Sequence, residues 1–141
     1  MTRLTALALA PLLVAASSQA GTLDIALTGL RSTKGLVHVC LTANRRHFPD
    51  CAGDPKAIRR SVPATQEQLH LSGIAPGHYA VTLMHDENAN RRLDKIAGIP
   101  REGFGFSRNP VVRFGPPRFE NTVIELVPGV TRATVRLQYL L

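Results

Sequence analysis

Short runs of alternating apolar and polar residues recur along the chain. In the first run, Leu23, Ile25 and Leu27 alternate with small or polar neighbours, the two-residue period of a strand with one buried face. Similar runs cover residues 36–42, 68–72, 79–84, 111–114, 122–127 and 131–139. They are separated by turns rich in Gly and Pro, and only residues 54–58 suggest a turn of helix. We therefore predict an all-β fold, a single antiparallel β-sandwich of six or seven strands with immunoglobulin-like or transthyretin-like character.

The N-terminus has the pattern of a secretory signal peptide. Arg3 precedes an apolar run over residues 4–16, and the small residues Ser18 and Ala20 follow. We expect cleavage after Ala20, which leaves a single β-sandwich domain over residues 21–141. The mature protein is then expected in the periplasm or the extracellular space. No later run is long and apolar enough to predict a transmembrane segment.

Two cysteines, Cys40 and Cys51, are the only ones in the chain. In an exported protein the default prediction for such a pair is a structural disulfide. Closing a loop of about 12 residues stabilises the fold by roughly 3 kcal/mol in the chain-entropy model. The bridge is expected to fasten a polar excursion to the end of a strand.

The chain carries a formal net charge of +7. Its arginines are dispersed along the sequence, whereas nucleic-acid binders gather theirs on one helix or stripe. We therefore expect no nucleic-acid partner. The charge favours a weak attraction to anionic envelope polymers or lipids, and an unidentified protein is the other expected class of partner.

A long irregular loop is predicted over residues 85–109, H-D-E-N-A-N-R-R-L-D-K-I-A-G-I-P-R-E-G-F-G-F-S-R-N. Such segments inside compact domains are usually functional. Oxygen donors fall at the odd positions of a calcium-loop count, and these are Asp86, Asn88, Asn90, the backbone carbonyl of Arg92, and Asp94. Ca²⁺ takes six to eight such oxygens. The sequence thus predicts a weak calcium site, with Kd on the order of 10⁻⁴–10⁻³ M.

Two positions depart from a standard calcium loop. Arg91 occupies the sixth position, where glycine allows the sharp turn, and Ala97 occupies the twelfth, where a bidentate glutamate is usual. Glu87 or Glu102 is available to complete the shell. The alternative is that the Asp and Asn side chains only build turns and cap backbone N–H groups, with Asp94 paired to an arginine.

The second half of the loop, residues 98–107, is rich in Gly and Phe. We predict that Phe104, Phe106 and Pro100 anchor the loop on the sandwich; the alternative is an exposed apolar contact for a partner. His85, Asp86 and Ser107 supply the residue types of a hydrolase. Adjacent strand residues point to opposite faces, however, and no nucleophile-elbow motif is present. A hydrolase using His85 and Ser107 is therefore less favoured than a non-enzymatic protein.

Two motifs resemble known families. L-H-L-S-G-I-A-P-G-H-Y-A-V-T-L, residues 69–83, resembles the strand–turn–strand hallmark of transthyretin-like and collagen-binding-B-type sandwiches. With the pattern that follows, H-D-E-N-x-N, L-D, G-I-P, E-G-x-G-F-S and P-P-x-F, the chain resembles the small exported bacterial family called domain of unknown function 2141. The resemblance implies an exported β-sandwich without an assigned activity.

Taken together, the sequence predicts an exported, non-enzymatic binding or interaction module whose site is the 85–109 loop. The alternative is a structural envelope protein that binds no ligand.

Overall fold

The computed structural model describes residues 19–141, so the predicted signal peptide lies almost entirely outside the described residues. Ten strands form within this range: β1 Gly21–Thr28, β2 Leu36–Thr42, β3 Ile58–Pro63, β4 Gln68–Ile74, β5 Gly77–Asp86, β6 Lys95–Ile96, β7 Ile99–Pro100, β8 Gly103–Phe106, β9 Val123–Leu126 and β10 Gly129–Arg136. Two single turns of 3₁₀ helix, at Arg45–His47 and Phe119–Asn121, complete the regular structure there. Within these residues no helix has the length and apolarity that crossing a membrane requires.

The strands form two principal sheets and one small hairpin. The first sheet has the order β10-β1-β4, and the second has the order β3-β2-β5-β8. Strand β5 is ten residues long, so its first part pairs with β9 and its last part with β8. The short strands β6 and β7 pair only with each other.

The apolar faces of the two sheets meet in one core. Leu23 and Ile25 of the first sheet and Val37, Val81 and Leu83 of the second are fully buried, as the alternating pattern predicts. The all-β sandwich is therefore confirmed. One strand pair departs from the expected antiparallel arrangement: β1 and β10 are parallel. The chain reaches β10 by crossing from β9 in the other sheet, and so β10 is not hairpin-linked to its neighbour.

Three local predictions differ from the structure. Strand β3 was not predicted, because Arg59, Arg60 and Ser61 are exposed on this edge strand and break the apolar alternation. The strand predicted over residues 111–114 is wrong: the segment is unpaired coil, since Pro110 and the Pro116-Pro117 pair restrict the flanking backbone.

The helical turn predicted at residues 54–58 is instead a hydrogen-bonded turn. The N–H of Ala57 donates to the carbonyl of Asp54 at 3.3 Å. The N–H of Lys56 donates to the Oδ1 atom of Asp54 at 2.9 Å. Strand β3 begins directly afterwards, at Ile58.

The disulfide between Cys40 and Cys51 is confirmed, with a Cα–Cα distance of 5.9 Å. It joins the end of β2 to the excursion that leads into β3. Asp54 of the same excursion accepts a hydrogen bond from the Thr42 hydroxyl at 2.5 Å. Covalent and polar contacts thus hold this segment against the sheet.

Candidate functional site

The site begins at the end of β5, which delivers His85 and Asp86 from the interior of the second sheet. Both side chains are completely buried. The Nε2 atom of His85 lies 2.8 Å from the carbonyl oxygen of Lys34, and Nδ1 lies 2.7 Å from the Tyr139 hydroxyl. A carbonyl only accepts, so Nε2 carries a hydrogen, and in the neutral ring Nδ1 then accepts from the tyrosine hydroxyl. His85 thereby fixes the backbone from which the loop starts.

Asp86 is the first residue of the turn and its internal anchor. Its Oδ2 accepts hydrogen bonds from the N–H of Arg91 at 2.7 Å and from Nε2 of His38 at 2.9 Å. Its Oδ1 accepts from the N–H of Asn90 at 3.1 Å. Burial opposes ionisation of this carboxyl, but these hydrogen bonds outweigh it and hold the pKa of Asp86 below its ordinary value. Asp86 is therefore an ionised carboxylate that shapes the turn.

The turn itself, residues 87–92, is built by two asparagines. Asn88 Oδ1 accepts from the N–H of Asn90 at 3.2 Å, and Asn90 Oδ1 accepts from that of Arg92 at 2.8 Å. Ala89 and Arg91 adopt positive φ angles of 56° and 62°. Arg91 thus takes the left-handed conformation for which calcium loops use glycine at the sixth position. The sharp turn forms despite the arginine.

Asp94 closes the turn. Its carboxylate accepts from Nδ2 of Asn88 at 2.8 Å and from Nδ2 of Asn90 at 2.9 Å. Asp94 is therefore held by amides, whereas the structural alternative had paired it with an arginine. The backbone N–H of Asp94 points the other way, toward Glu102.

Glu102, one of the two carboxylates considered for completing the shell, lies beside the turn. Its side chain is only 4% exposed, and its Oε2 accepts one long hydrogen bond of 3.4 Å from the N–H of Asp94. Burial, reinforced by the neighbouring charges of Asp86 and Asp94, raises its pKa above the ordinary value. The Glu102 carboxyl thus lies at the base of the turn, near enough to Asp86 and Asp94 for their charges to raise its pKa.

Glu87, the other residue considered for the shell, is paired with Arg31. Burial opposes its ionisation, but a hydrogen bond from Nε of Arg31 keeps its pKa low. Arg31 also donates to the carbonyl of Arg101 at 3.0 Å and to that of Leu141 at 2.6 Å. Its guanidinium stands 4.4 Å from the centre of the Tyr139 ring. No sequence signal marks Arg31, which nevertheless joins both ends of the loop to the C-terminal tail.

The second half of the predicted loop is largely a strand. All residues from Glu102 to Ser107 are buried, and β8 pairs with the last part of β5. Phe104 and Phe106 point into the protein, where Phe106 packs 5.7 Å from the Phe48 ring. Pro100 is half-buried in β7. The Gly-Phe-Gly-Phe alternation has the two-residue period of a strand, but glycine has no side chain and so gives no polar signal between the phenylalanines.

A metal at this site would need the amides as well as the carboxylates. Across residues 19–141 no group of three or more His, Cys, Asp or Glu side chains has a geometry able to hold a metal ion. The Asn88 and Asn90 oxygens now face backbone N–H groups, and their nitrogens face Asp94. Ca²⁺ would therefore require both amides to turn an oxygen toward Asp94, a rotation open to exposed side chains.

The two residues considered for hydrolysis are separated. Ser107 lies opposite Val81, four residues along β5 from His85, which is about 13 Å at the usual strand rise. Its hydroxyl donates to the carbonyl of Thr122 and accepts from the N–H of Val81. Both side chains are engaged in the structure of the sandwich.

The comparisons with known proteins bear on the family alone. The model of the family described as "Uncharacterized protein conserved in bacteria (DUF2141)" matches residues 25–134. Neither curated proteins nor solved structures gave a match. The matched range runs from β1 into β10 and includes the whole site, so the chain belongs to the DUF2141 family.

Proposed function

We propose that the protein is an exported, non-enzymatic binding or interaction module of the periplasm or extracellular space, with residues 85–109 as its site. The same proposal assigns weak calcium binding to the turn at residues 86–94, assisted by Glu102. The observation that carries it is the buried Glu102 carboxyl, whose Oε2 accepts one long hydrogen bond from the N–H of Asp94 and whose pKa the charges of Asp86 and Asp94 help to raise.

The carboxyl groups and the shape of the turn favour a cation at this place, whereas the exposed Arg91 and Arg92 oppose one. Carboxylates near one another repel when ionised, and a divalent cation bound to them offsets that repulsion. The left-handed conformation of Arg91 supports the proposal, because glycine takes that conformation at the sixth position of a calcium loop. The amides must rotate, which costs their present hydrogen bonds to Asp94. Binding is therefore expected to be weak, with Kd on the order of 10⁻⁴–10⁻³ M.

The arrangement of His85 and Ser107 supports a role without catalysis, since each is hydrogen-bonded within the sandwich. The partner of the module is a protein or an anionic envelope polymer. Basic side chains near the turn support an anionic surface on that partner: Arg91, Arg92, Lys95 and Arg101 are all exposed.

Calorimetry and thermal unfolding with calcium test the proposal. The wild-type protein is expected to show heat of binding and a higher Tm in 10 mM Ca²⁺ than in EDTA, whereas Glu102→Gln and Asp94→Asn lose both effects. Glu125→Gln removes the same charge from an exposed position on β9 and serves as the matched control. Absence of heat and of a Tm shift in the wild type would overturn the calcium assignment.

A second candidate function, a structural envelope protein without a ligand, is favoured by the satisfied hydrogen bonds of the turn. Asp86 and Asn90 each accept a backbone N–H, as a purely structural network would. Under this alternative calcium leaves Tm unchanged, and removal of Asp94 alters only the stability of the turn.

A further inference from the structure

The segment 110–118, P-V-V-R-F-G-P-P-R, forms a surface excursion that we call the proline loop. It displays the two most exposed large hydrophobic side chains of residues 19–141, Phe114 at 97% and Val111 at 81%. A lone exposed apolar residue is ordinary on a protein surface. Two such residues, three positions apart and almost fully in water, mark the loop as a candidate contact surface.

Both ends of the proline loop are fixed to the sandwich. Before it, Asn109 Nδ2 donates to the carbonyl of Thr134 at 2.8 Å, and Asn109 Oδ1 accepts from the N–H of Arg136 at 2.8 Å. After it, the Phe119 ring packs edge-on at 5.7 Å from that of Phe48. Three prolines restrict the backbone in between. A loop restrained in this way has less conformational entropy to lose when it binds.

The charge around these apolar residues is positive. Arg113 and Arg118 lie within the proline loop and are exposed, and Arg108 precedes it. The sequence has no acidic residue between Glu102 and Glu120. Glu102 is buried, and Glu120 forms an ion pair with Arg45. The proline loop thus presents cationic and apolar groups together, with no free carboxylate among its own residues.

We propose that the proline loop binds the surface of an anionic lipid bilayer. Phe114 and Val111 enter the interface between headgroups and acyl chains, and Arg113 and Arg118 pair with lipid phosphates. A soluble anionic polymer would satisfy the arginines but offers nothing to bury Phe114, which is why the bilayer fits better. The site is separate from the turn at residues 86–94 and does not depend on calcium binding there.

Co-sedimentation of the purified protein with vesicles tests this interaction. Binding to vesicles of equal phosphatidylglycerol and phosphatidylcholine is expected to exceed binding to pure phosphatidylcholine. Replacing one arginine should weaken partitioning about fivefold, so Arg113→Gln/Arg118→Gln is expected to weaken it by roughly 25-fold. Phe114→Ser is expected to weaken it roughly tenfold.

Matched controls separate a local contact from general basicity. Arg46→Gln/Arg132→Gln removes the same charge from exposed positions elsewhere, and Val130→Ser removes a half-exposed hydrophobic residue of β10. Each control is expected to change partitioning by less than about threefold, because its positions lie outside the contact. Equal losses in both arginine pairs would overturn the proposal.

A single tryptophan reports insertion directly, because the chain contains none. The fluorescence of Phe114→Trp is expected to shift to the blue with anionic vesicles and to be quenched by lipids brominated in the acyl chain. Val130→Trp should show neither change. An unshifted, unquenched Phe114→Trp on vesicles that bind the protein would overturn insertion. The protein can also be tested for binding to a soluble polyanion. If Phe114→Ser weakened that binding as much as it weakens vesicle binding, the choice of a bilayer would be overturned.

Discussion

The two halves of the 85–109 stretch are neighbours in sequence but differ in what holds them. Residues 87–94 are mostly exposed, and their side chains bond chiefly to one another. Residues 102–107 are buried, and β8 pairs with β5 on one side while Phe104 bridges to Gln138 on the other. Exposed polar groups and local bonds make the first half adaptable; burial makes the second half rigid.

The junctions between the halves explain how an adaptable turn keeps a defined position. At its start the turn is anchored by the buried carboxylate of Asp86. At its end Glu102, buried in the rigid half, accepts from the N–H of Asp94. Oxygen donors therefore lie on an exposed turn that a buried carboxyl group holds at each end. Regions that bind ligands often combine low local stability with a rigid support in this way.

Removing a ring from the rigid half gives the largest expected effect. Phe106→Ala is expected to lower the free energy of unfolding by about 3–5 kcal/mol, since the ring is buried against Phe48 and Phe104. Leu93→Ala, in the partly exposed turn, should cost less than about 0.5 kcal/mol. Urea unfolding followed by circular dichroism measures both. Similar losses in the two variants would abolish the distinction between the halves.

Adding a methyl group to the rigid half tests its packing from the opposite direction. A Cβ on Gly103 would overlap the Tyr139 ring, so Gly103→Ala is expected to lower the free energy of unfolding by about 2 kcal/mol through overpacking. Gly98→Ala is the control, because its Cβ would meet nothing within 4 Å. Its φ of +79° still makes alanine cost about 1 kcal/mol. Equal urea midpoints for the two variants would contradict the close contact of β8 with the tail.

Much of the sandwich was predictable, because β1, β2, β4 and β5 each bury one face against the other sheet and so alternate in sequence. Strand β3 buries only Val62 fully, and its pairing with β2 comes from tertiary contact. In β8 the alternate residues are glycines, one under Tyr139 and one against the carbonyl of Arg136. Because glycine has no side chain, the burial of these two residues produces no hydrophobic pattern in the sequence.

Part of the site was predictable for a similar reason. The spacing of Asp86, Asn88, Asn90 and Asp94 identified side chains that the structure joins in one network. Glu102 joins them only because β8 returns beside β5, and Arg31 reaches Glu87 from another connection. Local spacing carries no information on such pairings, which depend on how the sheet assembles.

The pH dependence of stability probes the junction at Glu102. A carboxyl whose pKa is raised in the folded state contributes most to the free energy of unfolding when the pH is below its unfolded pKa, near 4.5. That contribution is lost as pH rises through the folded value. Without calcium, the free energy of unfolding of Glu102→Gln is therefore expected to equal that of the wild type at pH 4. At pH 7 it is expected to be about 1 kcal/mol higher than that of the wild type. Urea unfolding at both pH values measures this, and Glu125→Gln should show no such gain.

The smallest effect is expected at the adaptable half itself. Asp94→Ala removes the acceptor for the Asn88 and Asn90 amides, but both amides are exposed and can bond to water instead. Its cost in global stability should be about 0.5 kcal/mol. Amide hydrogen exchange should nevertheless accelerate at Asn90 and Arg92, whose N–H groups depend on the turn, and stay unchanged at Phe104 in β8. A global loss above about 2 kcal/mol, with exchange accelerated in β8 as well, would place the turn inside the cooperative core. Unchanged exchange at Asn90 and Arg92 would show that Asp86 alone suffices to hold the turn.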